Sequence, residues 1–430
     1  MNPQAEELNQ IIEKHNPSIF ELLSNKGKTI YFPKKGILGQ AAEARGKKIN
    51  ATIGEAIEDD GTHMRLKSIE EKINISPMLA FPYAPSFGRP DIRERWKKMI
   101  YEKNPLLKNK EISLPVVTNA LTHGLSICGY LFLNKNDKII VSDHFWDNYE
   151  LVFSNAYDAE IDKFTLFTET GFNVASLEAK LNEGPKGKKV LLLNFPNNPS
   201  GYTPTIEEMK AIAAVIKKSA ENGNHIVVII DDAYFGLVFE QGIEKESIFT
   251  MLADIHEHVL AVKLDGPTKE DYVWGFRVGF ITYGIKGGNA ELYSALESKT
   301  AGAVRGNISN ACNLSQSLLL QAFDSPTYWK EKEEKYLILK SRYEKTKEVL
   351  QNKKYAEVFS PLPFNSGYFM CIELKNNLQA EDVRKHLLQK YETGVIVIGK
   401  VIRVAFSSVS SEKIPLLFEN VYAACKDLSA

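Results

Sequence analysis

The middle of this chain alternates short apolar runs with longer segments whose apolar positions recur at helical spacing. The short runs cover residues 116–118, 138–142, 190–194, 225–231, 259–264 and 277–283, and the helical pattern covers 125–133 and 206–220. Runs this short and this apolar predict strands buried on both faces, in a mostly parallel sheet with helices on either side. In such sheets a ligand sits beyond the carboxyl ends of the strands. Three polar clusters fall there: Asn198 follows one predicted strand, Asp231 ends the next, and Lys269 follows the one after.

The flanks read differently. Residues 1–28 carry helical spacing through Leu8, Ile11, Ile12, Ile19, Phe20 and Leu23, and residues 33–48 are rich in Gly and Lys, a loop with some helix. A strongly charged helix is predicted over 327–350, leading out of the large domain. Beyond it, strands at 368–373, 395–398 and 401–405 and a last helix at 415–426 form a smaller α+β domain, which the N-terminal segment joins. The expected division is 71–310 for the large domain, with 1–70 and 311–430 together in the small one.

A length of 430 residues exceeds one small core, in keeping with two domains. Lys plus Arg number 53 against 54 Asp plus Glu, a net charge of −1, so no basic field for nucleic acid is expected. No apolar run reaches membrane-span length. The first residues, Met-Asn-Pro-Gln-Ala-Glu-Glu, lack the basic-then-apolar order of a signal peptide. Cys128, Cys312, Cys371 and Cys425 are widely spaced and show no metal-ligand pattern, which reads as reduced thiols, no metal and a cytoplasmic setting.

Taken singly, the polar clusters are ordinary. Lys269 in Asp-Gly-Pro-Thr-Lys-Glu-Asp-Tyr reads as a solvated lysine, Asp231 as a strand-end cap, and Asn198 as part of an Asn-Pro turn. Taken in order they supply an amine, a carboxylate, two hydrogen-bond donors and a cation. The segments are Asn194-Phe-Pro-Asn-Asn-Pro-Ser-Gly201, Asp231-Asp-Ala-Tyr234, and Lys269 with Gly275, Arg277 and Gly279 behind it. Asp232 and Asn197 are adjacent alternatives to Asp231 and Asn198. Arg403 lies inside an apolar strand, where a guanidinium needs an anionic partner.

This set resembles the fold-type I aminotransferases of the aspartate aminotransferase superfamily, over about residues 50–403. The resemblance implies the fold-type I architecture, with a large cofactor-binding domain built on a mostly parallel seven-stranded sheet plus a smaller α+β domain. It implies pyridoxal 5'-phosphate as cofactor. Lys269 would bind the cofactor aldehyde and later carry the substrate proton, Asp231 would pair with the ring nitrogen, and Tyr234 and Asn198 would donate to the ring oxygen. Arg277, Thr268 and the backbone of Ala120, Leu121 and Thr122 would hold the phosphate. Trp146 would stack on the ring. Tyr83 would reach the phosphate of a neighbouring subunit in a homodimer with shared active sites. Gly54, Asn148, Asn198 and Arg403 would meet the substrate, with Arg403 on its α-carboxylate, and Arg305 would reach across the dimer interface to a second carboxylate.

The implied reaction moves an amino group from an L-amino acid, acidic or aromatic, to a 2-oxo acid such as 2-oxoglutarate. A β-eliminating lyase uses the same cofactor residues. A regulatory protein on this fold would need a DNA-binding module, and the sequence carries no basic helix-turn-helix. One departure stands out: the family often has Ser-x-Ser-Lys at the lysine, and here it is Gly266-Pro267-Thr268-Lys269. Thr268 can replace one hydroxyl contact to the phosphate; Gly266 cannot replace the other.

Overall fold

A computed structural model describes residues 1–34 and 36–429. Its strands in chain order are β1 (Ile49–Asn50), β2 (Val116–Thr118), β3 (Lys138–Ser142), β4 (Glu160–Phe164), β5 (Lys188–Asn194), β6 (His225–Asp231), β7 (Val259–Asp265) and β8 (Gly279–Gly284). After the long helix Tyr328–Leu350 come β9 (Phe359–Pro361), β10 (Phe369–Leu374), β11 (Thr393–Gly394), β12 (Ile396–Ile398) and β13 (Val401–Ala405). Seven strands form one sheet in the order β2-β8-β7-β6-β5-β3-β4. All pairs are parallel except those of β8, which runs antiparallel to both neighbours.

The two-residue period of the strands sends alternate side chains to opposite faces. Ile226, Val228 and Ile230 of β6 join Met209, Ile212 and Ile216 of helix Ile206–Glu221 in one apolar layer. Ile229, with Val262 and Leu264 of β7, joins Leu125 and Ile127 of helix Ala120–Phe132 in the other. This sandwich is why the strands read as continuous apolar runs. The sheet is therefore the one predicted, with one strand unforeseen. β4, Glu-Ile-Asp-Lys-Phe, is a mostly solvent-facing edge and lacks the apolar run of the inner strands. β8 starts two residues later than its pattern suggests, because Arg277 adopts a left-handed turn with φ 54°.

The smaller sheet is antiparallel in the order β12-β13-β10-β9, and β1 pairs with β11 in parallel. The N-terminal segment is three short helices rather than one, Pro3–His15, Pro17–Leu22 and Asn25–Thr29. Asn2, Asn16 and Ser24 cap their starts, and prolines follow the first two caps, restarting the chain each time. Helix Ile37–Glu43 follows. The Gln40 amide accepts from Val397 N at 2.7 Å and donates to Val397 O at 3.0 Å, fixing this helix beside β12. Among the described residues no helix is long and apolar enough to cross a membrane. The four cysteines are free, with only Cys312 exposed.

Candidate active site

The loops after β5, β6 and β7 open onto one cavity of about 570 Å³, and β13 of the small sheet contributes to its wall. Lys269, Asp231, Tyr234, Asn198, Arg277 and Thr268 line it. So do Ala120, Leu121, Thr122, Trp146, Gly54 and Arg403. Residues more than 300 positions apart in the chain thus share one space.

Strand parity separates the two adjacent aspartates. Asp231 continues the face of Ile229 toward helix Ala120–Phe132 and the cavity. Asp232 points to the opposite face, where it pairs with buried Lys263 and accepts from Ser247 Oγ at 2.6 Å. Lys263 also lies 3.4 Å from Asp265, which accepts from Trp96 Nε1 at 2.9 Å, so Asp232 belongs to a closed structural network. Asp231 accepts from Tyr149 OH at 2.6 Å and from Ala233 N at 3.2 Å, with no cation in ion-pair contact among the described residues. Burial raises its pKa, opposed by the Tyr149 hydrogen bond and by Lys269.

The asparagines divide in the same way. Asn197 accepts from Ser200 N at 3.0 Å and Ser200 Oγ at 2.7 Å, closing its own turn. Asn198 faces the cavity, its Oδ1 accepting from Arg403 Nη1 at 3.0 Å. Gly201 ends this turn at φ 73°, and a Cβ there would fall 1.9 Å from Phe369 O. Only glycine lets the Asn198 loop approach the small sheet this closely.

Lys269 lies in the short helix Pro267–Glu270 at the end of β7, its Nζ 4.9 Å from the centroid of the Tyr234 ring. Burial, with a contribution from Arg277, lowers its pKa to about 8, while Asp231 acts the other way. The backbone is anchored by Tyr368 OH, which donates to Lys269 O at 3.0 Å. The next two residues are clamped: Glu270 pairs with Lys103 at 3.0 Å and Lys332 at 2.9 Å, and Asp271 pairs with Lys332 at 2.8 Å and accepts from Tyr328 OH at 2.7 Å.

Arg403 is 2% exposed, yet no carboxylate among the described residues lies within ion-pair distance. Its Nη2 donates to Thr52 O at 3.1 Å, its Nε has no partner, and the guanidinium stacks 4.1 Å from the Phe369 ring centroid. A buried guanidinium facing a cavity with neutral partners only is a receptor for an anion. Arg277 likewise pairs with no carboxylate among the described residues; its Nη1 donates to Trp274 O at 3.1 Å. The first turn of helix Ala120–Phe132 has no side-chain cap, so its N–H groups and dipole face the same cavity. Gly279 lets that turn pack close, since a Cβ there would sit 2.8 Å from Ala120 C and 3.0 Å from Leu121 N. Gly266 is explained in the same terms. A Cβ would meet Val278 O at 2.8 Å and Gly279 Cα at 3.0 Å, so no serine hydroxyl fits there without moving backbone.

Three expected residues lie outside this cavity. Asn148 is half-buried on the turn that carries Trp146 and Tyr149. Those two are one helical turn apart and face inward together, which rotates Asn148 away. Tyr83 is 91% exposed, and Arg305 is exposed on helix Ala290–Ile308, donating to Ser309 Oγ at 2.6 Å. Conversely, sequence reasoning missed Tyr149 and Asn194. Asn194 Nδ2 donates to Asp231 O at 2.8 Å, and its Oδ1 accepts from Asn198 N at 2.8 Å. The three-residue spacing from Trp146 to Tyr149 was the available signal. Ile37, Leu38 and Ala41 of helix Ile37–Glu43 were also unforeseen in the wall.

An amine of lowered pKa, a buried carboxylate, a phenol, an uncapped helix start and two unpaired guanidiniums fit pyridoxal phosphate and an amino acid carboxylate. Fold and site together are those of the fold-type I pyridoxal phosphate enzymes. The sequence matches the family described as aminotransferase class I and II over residues 47–421, and the chain belongs to that family. An aspartate aminotransferase of Bacillus sp. (strain YM-2) is 25% identical over 313 residues, 71% of this chain and 73% of that protein. One from Salmonella typhi is 27% identical over 290 residues, 65% of this chain and 70% of that protein. Among solved structures, an aminotransferase from Anaerococcus prevotii DSM 20548 is similar at a TM-score of 0.84 and 23% identity, covering 94% of this chain and 99% of that one. A kynurenine aminotransferase from Pyrococcus horikoshii is similar at 0.78 and 17% identity, covering 96% and 98%.

Proposed function

We propose that this aminotransferase moves the amino group of an acidic or aromatic L-amino acid to a 2-oxo acid such as 2-oxoglutarate, by alternating half-reactions in one cavity. The observation that carries the reading is Arg403: a buried cation with no carboxylate at ion-pair distance among the described residues, facing the same space as Lys269 and Asp231. The relatives described as aspartate aminotransferases and the fold neighbour described as a kynurenine aminotransferase support the two donor classes.

When bound, pyridoxal phosphate supplies an electrophilic aldehyde and an electron-accepting ring. Lys269, with its pKa held near 8, is neutral often enough to act as nucleophile and then as the base that carries the proton at the substrate α carbon. Asp231, oriented by Tyr149, would hold a proton at the ring nitrogen. Tyr234 and Asn198 would donate to the ring oxygen. Arg277, Thr268 and the N–H groups of Ala120, Leu121 and Thr122 would take the phosphate, and Trp146 would cover the ring. Arg403 orients the substrate through its α-carboxylate, beside Gly54. The large cofactor-binding unit is 71–310, with 1–70 and 311–430 as the smaller one.

Tyr83 and Arg305 act in this reading from a second copy of the chain, in a cytoplasmic homodimer with shared sites; their exposure is what supports it. Arg305→Ala should then weaken 2-oxoglutarate as acceptor, and an unchanged KM would remove that role.

The test is an amine-transfer screen of cofactor-loaded protein with twenty amino acids against 2-oxoglutarate, oxaloacetate and pyruvate. Formation of the aminated cofactor with the matching 2-oxo acid supports the proposal. Release of ammonia and pyruvate instead would make the protein a β-eliminating lyase.

A further inference from the structure

Tyr368 and Phe369 are buried where the small sheet meets the large one. Phe369 opens β10, which pairs with β13 so that Cys371 lies opposite Arg403. The turn ahead of the two rings is bound to the large sheet's loops: Ser366 N donates to Gly201 O at 2.9 Å, and Gly367 N donates to Leu237 O at 2.8 Å. Both rings are thereby held between the loops after β5 and β6 and the strand that carries Arg403. Each reaches a different part of the site. Tyr368 OH donates to Lys269 O at 3.0 Å. The Phe369 ring lies against the Arg403 guanidinium, 4.1 Å from its centroid, and forms part of the cavity wall. The two rings also meet Tyr234 edge to face, with centroids 5.3 Å and 5.6 Å away, and Lys269 Nζ stands 4.9 Å from the same Tyr234 ring.

We propose that Tyr368 and Phe369 are positioning residues for the reaction, granted the function proposed above: Tyr368 sets the reach of the Lys269 amine, and Phe369 sets the plane of the Arg403 guanidinium. The amine sits on a flexible four-carbon stem, so its reach is fixed only where its backbone is fixed. A rigid phenol on the Lys269 carbonyl does this from the small sheet, and small misplacements of a reacting group are costly in rate. A guanidinium meets a carboxylate bidentately in one plane, and the flat ring face selects that plane. Adjacent residues of one strand start thus serve two steps, proton transfer and substrate binding.

Single turnovers of the donor half-reaction, read in the spectrum of cofactor-loaded protein and expressed per bound cofactor, separate the two roles. The probes are L-phenylalanine and L-glutamate, each with its α-deuterated form. Tyr368→Phe keeps the ring and removes only the hydroxyl. It should lower the saturating rate about tenfold, leave the half-saturating concentration within about twofold, and keep the deuterium isotope effect at or above that of the unsubstituted protein. Phe369→Leu keeps an apolar side chain and removes the ring face. It should raise the half-saturating concentration about tenfold and leave the saturating rate within about twofold. Variants that merely unfold earlier, with both kinetic parameters unchanged, would reduce the pair to packing and overturn the inference. So would equal changes in both parameters, or a smaller isotope effect in Tyr368→Phe. Failure of the unsubstituted protein to convert either amino acid would instead overturn the proposed function, and the inference with it.

Discussion

The Tyr149 phenol donates a 2.6 Å hydrogen bond to Oδ2 of Asp231, at the floor of the cavity. It is the strongest interaction that favours the ionised form of a carboxylate whose burial opposes ionisation. Hydrogen bonds to charged groups contribute about 1.5–3 kcal/mol. Tyr149→Phe should therefore weaken cofactor affinity by roughly ten- to a hundredfold, measured by titrating apo-protein spectroscopically. An unchanged affinity would show that Asp231 does not depend on this phenol.

The adjacent aspartates should behave oppositely. Asp231→Asn removes the cavity carboxylate and should lose most turnover with a near-native unfolding midpoint. Asp232→Asn should retain turnover but unfold earlier, because Lys263 loses its closest partner in a buried site, a defect of about 3 kcal/mol. Equal losses of activity in both variants would refute the assignment by strand parity.

A pH dependence follows from Lys269. With its pKa lowered to about 8, the amine is mostly protonated below that pH and mostly neutral above it. Cofactor capture by apo-protein should rise about tenfold per pH unit up to 8 and then level off. Asp231 raises this pKa, so Asp231→Asn should move the plateau to lower pH; Arg277 lowers it, so Arg277→Gln should move the plateau higher. Stopped-flow absorbance across pH 6–10 would read both shifts, and a shift of either in the reverse direction would contradict the charge arrangement.

Arg403 illustrates function held at a cost to stability. Its cation is buried against neutral partners. Arg403→Met should abolish amino acid turnover yet raise the melting midpoint by about 1–3 °C, since an unpaired buried charge is removed. A fall in the midpoint, seen by calorimetry, would mean that its hydrogen bonds to Asn198 and Thr52 outweigh the desolvation.

Lys332 bridges Glu270 and Asp271, the two residues after Lys269, to the long helix Tyr328–Leu350. Lys332→Met leaves two buried carboxylates with one remaining lysine and should destabilise the fold by about 3–5 kcal/mol. Denaturant unfolding would show it; a loss under 1 kcal/mol would mean the cluster rearranges or admits water.

The sequence by itself determined the inner strands, because a strand buried on both faces must be apolar throughout, and the order of Asn198, Asp231 and Lys269 beyond their ends. It also marked Arg403, since an arginine in an apolar strand stands out from its neighbours. Strand β4 was not legible: an edge strand with one face in water carries no continuous run. Tyr149 carried only its three-residue spacing from Trp146, because its partner lies 82 positions away and a phenol in such a turn looks like packing. Asp231 against Asp232, and Asn198 against Asn197, could not be separated by composition, being chemically identical neighbours. Only the tertiary structure decided between them. Pleat and turn geometry send adjacent side chains to opposite faces, and only the assembled sheet defines which face holds the cavity. The same holds for Ile37, Leu38 and Ala41, whose place in the wall depends on a helix bound to a strand more than 350 residues later.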